Sequence, residues 1–227
     1  MVRVNKLLNK NIWDTVCDDP SCGEFRVEIK PEVRKALLRI AYDFLESLDP
    51  KMKFTDITLT GSMANYNYTD QSDLDLHVLF DFDAEGERGD LIQDLFNAKR
   101  RIWNDGHDIK VRDHDVELYA QDTNEPHHST GVFSVLRNKW LVVPQRTNPE
   151  IDEEYVLKKS QDIMDRIDFL VGLEDKRSSL QNTKDKIMKM RKAGLERKGE
   201  FSEENLIFKT LRNTGYIGKL NDIIRNE

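Results

Sequence analysis

Two carboxylates flank a single leucine in "SDLDLHVLF", residues 72 to 80, where every other side chain except His77 is apolar or small. On a β-strand successive side chains alternate between faces, so Asp73, Asp75 and His77 share one face and Leu74, Leu76, Val78 and Phe80 the other. The apolar face can be buried, which leaves two acids close together on an open face. Ionised carboxylates at that separation repel one another. A hard divalent cation such as Mg²⁺ relieves the repulsion and prefers oxygen ligands. A third acid is offered by "HDVELYA", residues 114 to 120, where Val116, Leu118 and Ala120 read as a core face and Asp115, Glu117 and Tyr119 as the opposite one. If the two strands are neighbours, Glu117 joins Asp73 and Asp75. Three such acids can hold two metal ions about 3.5–4 Å apart, an arrangement suited to in-line phosphoryl or nucleotidyl displacement.

Phosphates need a cradle as well as a metal. "TGS", residues 60 to 62, follows a predicted strand, and only Met63 to Ser72 separate it from the acid pair. Gly61 permits close backbone approach, Ser62 adds a hydroxyl, and free N–H groups at a helix start attract phosphate.

These positions must be held by regular elements. A helix is expected over 31–48, with Pro31 in its first turn and Val33, Leu37, Ile40, Ala41, Phe44, Leu45 and Leu48 on one stripe. Strands are expected at 55–60, 72–80, 108–112, 114–120 and 132–143. A helix is expected over 90–105, with Leu91, Leu95, Ala98 and Ile102 on one face and Gly106 at its C-terminus. From residue 152 the periodicity is helical, with Ser202 suited to cap the last stretch and Phe201 and Leu206 placed as a hydrophobic staple. "PQRTNPEID", residues 144 to 152, is the break between the halves. The expected organisation is α+β, with an α/β core over 1–147 and a helical region over 148–227.

The Gly-Ser turn, the spacer, "SDLDLHV" and the later "VEL" together resemble the signature of the DNA polymerase β-like nucleotidyltransferase superfamily. The matched stretch runs from Phe54 to Tyr119, under a third of the chain. The resemblance implies a mixed sheet with flanking helices, followed here by the helical region. It implies that Gly61 and Ser62 bind the β- and γ-phosphates of a nucleoside triphosphate, with Ser72 also at the nucleotide. Asp73 and Asp75 would ligate both Mg²⁺ ions, Mn²⁺ being a possible substitute. Glu117 would ligate the metal nearer the acceptor hydroxyl and help it lose its proton. A nucleoside monophosphate, from ATP by default, would pass to the acceptor, which could be RNA, protein or a small molecule, with release of pyrophosphate. The C-terminal "MRKAGLERKGEFSEENLIFKTLRNTGYIGKL" is similar to a tail on uncharacterised, often bacteriophage-encoded, members. Two other readings compete: a second-messenger or oligonucleotide synthase of the same superfamily, and a non-catalytic nucleic-acid-binding protein that keeps the fold. A binding-only site gains nothing from clustered like charges, which weighs against the latter.

The composition, 38% hydrophobic and 34% charged, is that of a globular, helix-rich protein. No window approaches the roughly 18 apolar residues of a membrane-spanning helix, and "MVRVNKLLNKNIW" lacks the pattern of a signal peptide. A cytoplasmic location is expected, that of the host cell if the gene is a phage's. Cys17 and Cys22 are accordingly expected as unpaired thiols. The net charge of −7 hides an asymmetry, because residues 176–198 carry nine Lys/Arg against Asp185 and Glu196. That segment is a solvated helix face or a contact for phosphates. It contains no aromatic residue on which bases could stack. His77 is expected to hydrogen-bond near its strand end, outside the site. The His127–His128 pair is expected to be solvated, with Ser129, Thr130 and Gly131 placed near the nucleotide, and "AKRRIW" at 98–103 is expected on a solvent face.

Overall fold

The computed structural model describes residues 5–17, 25–49, 51–125, 129–146, 149–174 and 176–226. The fold is α+β, and the chain divides between Arg146 and Thr147 into two compact units.

The first unit is built on a six-stranded mixed sheet. After the strands β1 (Trp13–Cys17) and β2 (Arg26–Ile29), which pair antiparallel as a separate ribbon, comes α1 (Pro31–Ser47). The chain continues through β3 (Phe54–Thr60), β4 (Leu74–Phe80), α2 (Gly89–Gly106), β5 (Lys110–Val111), β6 (His114–Asp122), β7 (Val132–Ser134) and β8 (Lys139–Val142). The spatial order is β5-β6-β4-β3-β7-β8. β4 and β6 run parallel, which requires a crossover, and α2 supplies it. Pro31 opens α1 where its missing N–H costs nothing, and Val33, Leu37, Ile40, Ala41 and Phe44 are buried as the periodicity predicts. On β4, Leu74, Leu76, Val78 and Phe80 are buried in the same core.

α2 turns a different face to the core from the one that carries Leu91, Leu95, Ala98 and Ile102. Its buried residues are Gly89, Ile92 and Phe96, and Trp103 also packs on the core, whereas Leu91, Leu95 and Ile102 are exposed. The helix carries two apolar stripes, and the aromatic one meets Phe80 and Phe82 through Phe96 and Phe44 through Trp103, with centroids 5.0, 5.8 and 5.8 Å apart. Aromatic rings bury more area than the aliphatic stripe, so they take the inner position. The strand expected at 132–143 divides into β7 and β8, an antiparallel hairpin whose turn holds Asn138 at φ 53°. The strand at 108–112 shortens to Lys110–Val111. The β1–β2 ribbon has no counterpart in the sequence reading.

Cys17 is disulfide-bonded, which corrects the expectation of an unpaired thiol there. That expectation rested on compartment, whereas the antiparallel β1–β2 pairing folds the chain back at this point. Cys22 lies outside the described residues, as do His127 and His128.

The second unit consists of α3 (Glu153–Val171), α4 (Arg177–Lys198), α5 (Glu203–Asn213) and α6 (Tyr216–Asn226) around their own apolar core. Asp152 caps α3 by accepting from the Tyr155 N–H at 2.9 Å, and Ser202 caps α5 by accepting from the Asn205 N–H at 3.3 Å. No described helix is long and apolar enough to cross a membrane.

Candidate active site

The register of β4 against β6 sets Asp75 directly opposite Glu117 and His77 opposite Tyr119. Alternation explains why these residues, and not their neighbours, are available. Leu74 and Leu76 are buried between them, while Asp75, His77, Glu117 and Tyr119 are half-buried on the other face. Asp73 is half-buried too, but it precedes β4, which begins at Leu74. The structure therefore pairs Asp75 with Glu117 by sheet geometry and leaves Asp73 at the strand's mouth. Among the described residues, no three His, Cys, Asp or Glu groups converge closely enough to hold a metal ion. The donor set nonetheless suits a hard cation: it consists of carboxylate oxygens alone, half-buried and opposed across one strand pair.

Gly61 completes this geometry from the other side. β3 runs antiparallel to β4 with Thr60 opposite Asp75, so the next residue turns over the Asp75 side chain. Its φ of 70° and ψ of −160° belong to a region essentially reserved for glycine. A Cβ there would lie 1.8 Å from Asp75 Oδ2 and 2.9 Å from its Cγ. The Asp75 carboxylate is thus seated on the Gly61 backbone. Beyond it Ser62–Ala64 make one 3-10 turn, closed by the Ala64 N–H to the Gly61 carbonyl at 3.2 Å and the Asn65 N–H to the Ser62 carbonyl at 3.1 Å.

The two serines differ in character. The Ser62 hydroxyl donates to Ser72 Oγ at 2.9 Å, and that oxygen also accepts from the Thr69 N–H at 2.9 Å. Ser72 is buried, so it reaches the site only through Ser62. His114, a residue the sequence reading left aside, anchors Ser72 in turn. Its Nδ1–H donates to the Ser72 carbonyl at 2.8 Å, and its Nε2 accepts from the Asn9 amide at 3.3 Å. Both ring nitrogens are engaged in a buried position, which fixes the orientation of the ring. The signal in the sequence is slight: a histidine that opens a strand on its apolar face.

Ser129, Thr130 and Gly131 lie against the Gly61 turn and the segment that follows it. The Gly61 N–H donates to Ser129 Oγ at 3.2 Å, and the Asn65 amide donates to the Thr130 hydroxyl. A Cβ on Gly131 would lie 2.0 Å from the Ala64 carbonyl oxygen, so this approach also depends on glycine.

Next to the acid pair, the His77 and Tyr119 rings stack with centroids 4.6 Å apart, and His77 Nδ1 and Gln121 Oε1 are 2.6 Å apart. Burial, with the negative charges of Asp75 and Glu117 beside it, pushes the Tyr119 hydroxyl far above the usual phenol range. Arg100 of α2 lies over the Tyr119 ring, 5.1 Å from its centroid, which corrects the assignment of the whole 98–103 segment to a solvent face. The side chain is long enough to carry its charge from the helix to the sheet.

The basic segment 176–198 falls mostly on α4, and Arg191, Arg197 and Lys198 are engaged within its own unit, while Lys186 and Lys189 are exposed. Arg191 lies over the Phe208 ring at 4.2 Å, Arg197 meets Glu204 at 2.7 Å, and Lys198 meets Glu203 at 3.0 Å. Compared with known protein families, curated proteins and solved structures, the chain matches none.

Proposed function

We propose that the first unit is the catalytic core of a metal-dependent nucleotidyltransferase of the polymerase β-like type, with Mg²⁺ as its ion and a nucleoside triphosphate, ATP by default, as donor. The observation that carries this reading is the opposition of Asp75 and Glu117 across parallel strands, with the Gly61 backbone laid against Asp75. In the reaction the acceptor hydroxyl would give up its proton to Glu117 as its oxygen bonds to the α-phosphorus, the bond to the bridging oxygen breaks, and pyrophosphate leaves. Asp73, Asp75 and Glu117 are the residues that would hold the ions. Bound there, the cations would offset the mutual repulsion of the acids and the charge of the triphosphate. Gly61 and Ser62 form the turn over which the phosphates would lie, held by Ser72, His114 and the 129–131 segment. Tyr119, kept neutral beside the acids, adds no further negative charge to them.

The test uses the whole chain with Mg²⁺ or Mn²⁺ and each α-labelled triphosphate, with and without total RNA or lysate, and product analysis by mass spectrometry. Label transferred to RNA, protein or a small molecule names the acceptor class, whereas a free oligonucleotide indicates a signal synthase. Asp73→Ala/Asp75→Ala is expected to lower transfer by more than about a hundredfold, since loss of a ligand's supporting partners alone typically costs 10–100-fold. Undiminished transfer in that variant would exclude this site. Absence of nucleotide binding at millimolar ATP would favour a non-catalytic binding protein instead.

A further inference from the structure

The fold uses only one of the two apolar stripes on α2. Leu91, Leu95, Ala98 and Ile102 follow one another at spacings of four, three and four residues, which lines them up in a narrow strip. Leu91 is 71% exposed, Leu95 38% and Ile102 73%. Three large aliphatic side chains thus form a ridge roughly 16 Å long at 1.5 Å per residue, with the spacing of a helix-packing seam. Aligned apolar exposure of this kind marks an interaction surface, unlike single scattered leucines.

The border of the ridge shows what fits it. On the side away from the core the helix carries Asp90, Asp94 and Asp105, all exposed, with Arg101 among them. The 3-10 segment Asp83–Arg88 that leads into α2 adds exposed Asp83 and Glu87 against one exposed cation, Arg88. A second copy docked α2 against α2 would bring this acidic border against its like, which is unfavourable. A cationic partner would gain from it.

We propose that the exposed stripe of α2 is the docking face for a partner protein that presents a basic amphipathic helix. The partner's apolar side lies along Leu91, Leu95 and Ile102, and its lysines or arginines face Asp90, Asp94 and Asp105. This mode of recognition, a helix on an apolar strip with charges at the rim, needs no change in the fold. It is independent of the catalytic reading, because none of these residues belongs to the carboxylate site.

The test titrates the full chain with two labelled helical peptides that share leucines at the four-three-four spacing. One carries lysine and the other glutamate at the remaining positions, and fluorescence anisotropy reports binding. The lysine peptide is expected to bind at least about tenfold more tightly, and Leu91→Glu/Ile102→Glu to weaken it at least about tenfold, the loss typical of removing central anchors. Asp90→Asn/Asp94→Asn/Asp105→Asn leaves the ridge intact and is expected to erase the preference for lysine. Equal binding of the two peptides, or undiminished binding to the Glu variant, would overturn the proposal. So would a dimer of the chain, seen by sedimentation and abolished by Leu91→Glu/Ile102→Glu, since it would make a second copy the occupant.

Discussion

Replacing Gly61 with alanine tests the site's geometry without assuming any activity. Two separate costs are expected. The φ of 70° and ψ of −160° are open to glycine and strained for alanine, by about 1–3 kcal/mol. The new methyl also occupies the space of the Asp75 carboxylate, 1.8 Å from Oδ2 and 2.9 Å from Cγ. A swing of the carboxylate oxygen alone does not clear both atoms, so the whole side chain must change rotamer. In Asp75→Ala those atoms are gone, and the remaining Asp75 Cβ distance of 3.4 Å is ordinary contact. Gly61→Ala should therefore cost only the backbone term of about 1–3 kcal/mol in that background. In the wild-type background it should cost more, with a coupling of about 0.5–3 kcal/mol between the two sites. Equilibrium urea unfolding of the four proteins, in chelator so that metal does not enter, measures the cycle. Additivity within about 0.3–0.5 kcal/mol would refute the seating of Asp75 on Gly61.

Two further outcomes are expected. Asp75→Asn should stabilise the chelated protein by about 0.2–1 kcal/mol, because it removes one of two like charges opposed on adjacent strands. That corresponds to roughly 0.4–4 °C in Tm. Added Mg²⁺ should stabilise the wild type and not this variant, and a variant destabilised in chelator would contradict the repulsion argument. Tyr119 has its folded-state pKa raised, so its stability contribution is complete below about pH 10, where an unfolded tyrosine is also neutral. Above that pH the unfolded state loses the proton first and stability falls. Tyr119→Phe should flatten this alkaline limb in unfolding measured from pH 8 to 11, and an unchanged limb would show that the hydroxyl is not held neutral.

Local pattern made most of the carboxylate face legible. The alternation in "SDLDLHVLF" separates the acids from the buried leucines whatever the strand's neighbours are, and the same logic applies to Glu117 in "HDVELYA". The α1 stripe and the Asp152 and Ser202 helix starts depend on residues within one turn, and local chemistry is enough to place them. His114 and Arg100 were not legible. Each acts on a segment distant in sequence, His114 on Ser72 and Asn9, Arg100 on Tyr119, and no periodicity records such a partner.

By itself, then, the sequence determined which side chains share a face and which residue, Gly61, could turn without a side chain. Only the tertiary structure decided the parallel β4–β6 register that sets Asp75 against Glu117, because register is a relation between segments joined through a whole helix. It also decided which apolar stripe of α2 goes inside. Both stripes satisfy the helical period, and the choice came from the aromatic partners waiting in the core, Phe44, Phe80 and Phe82.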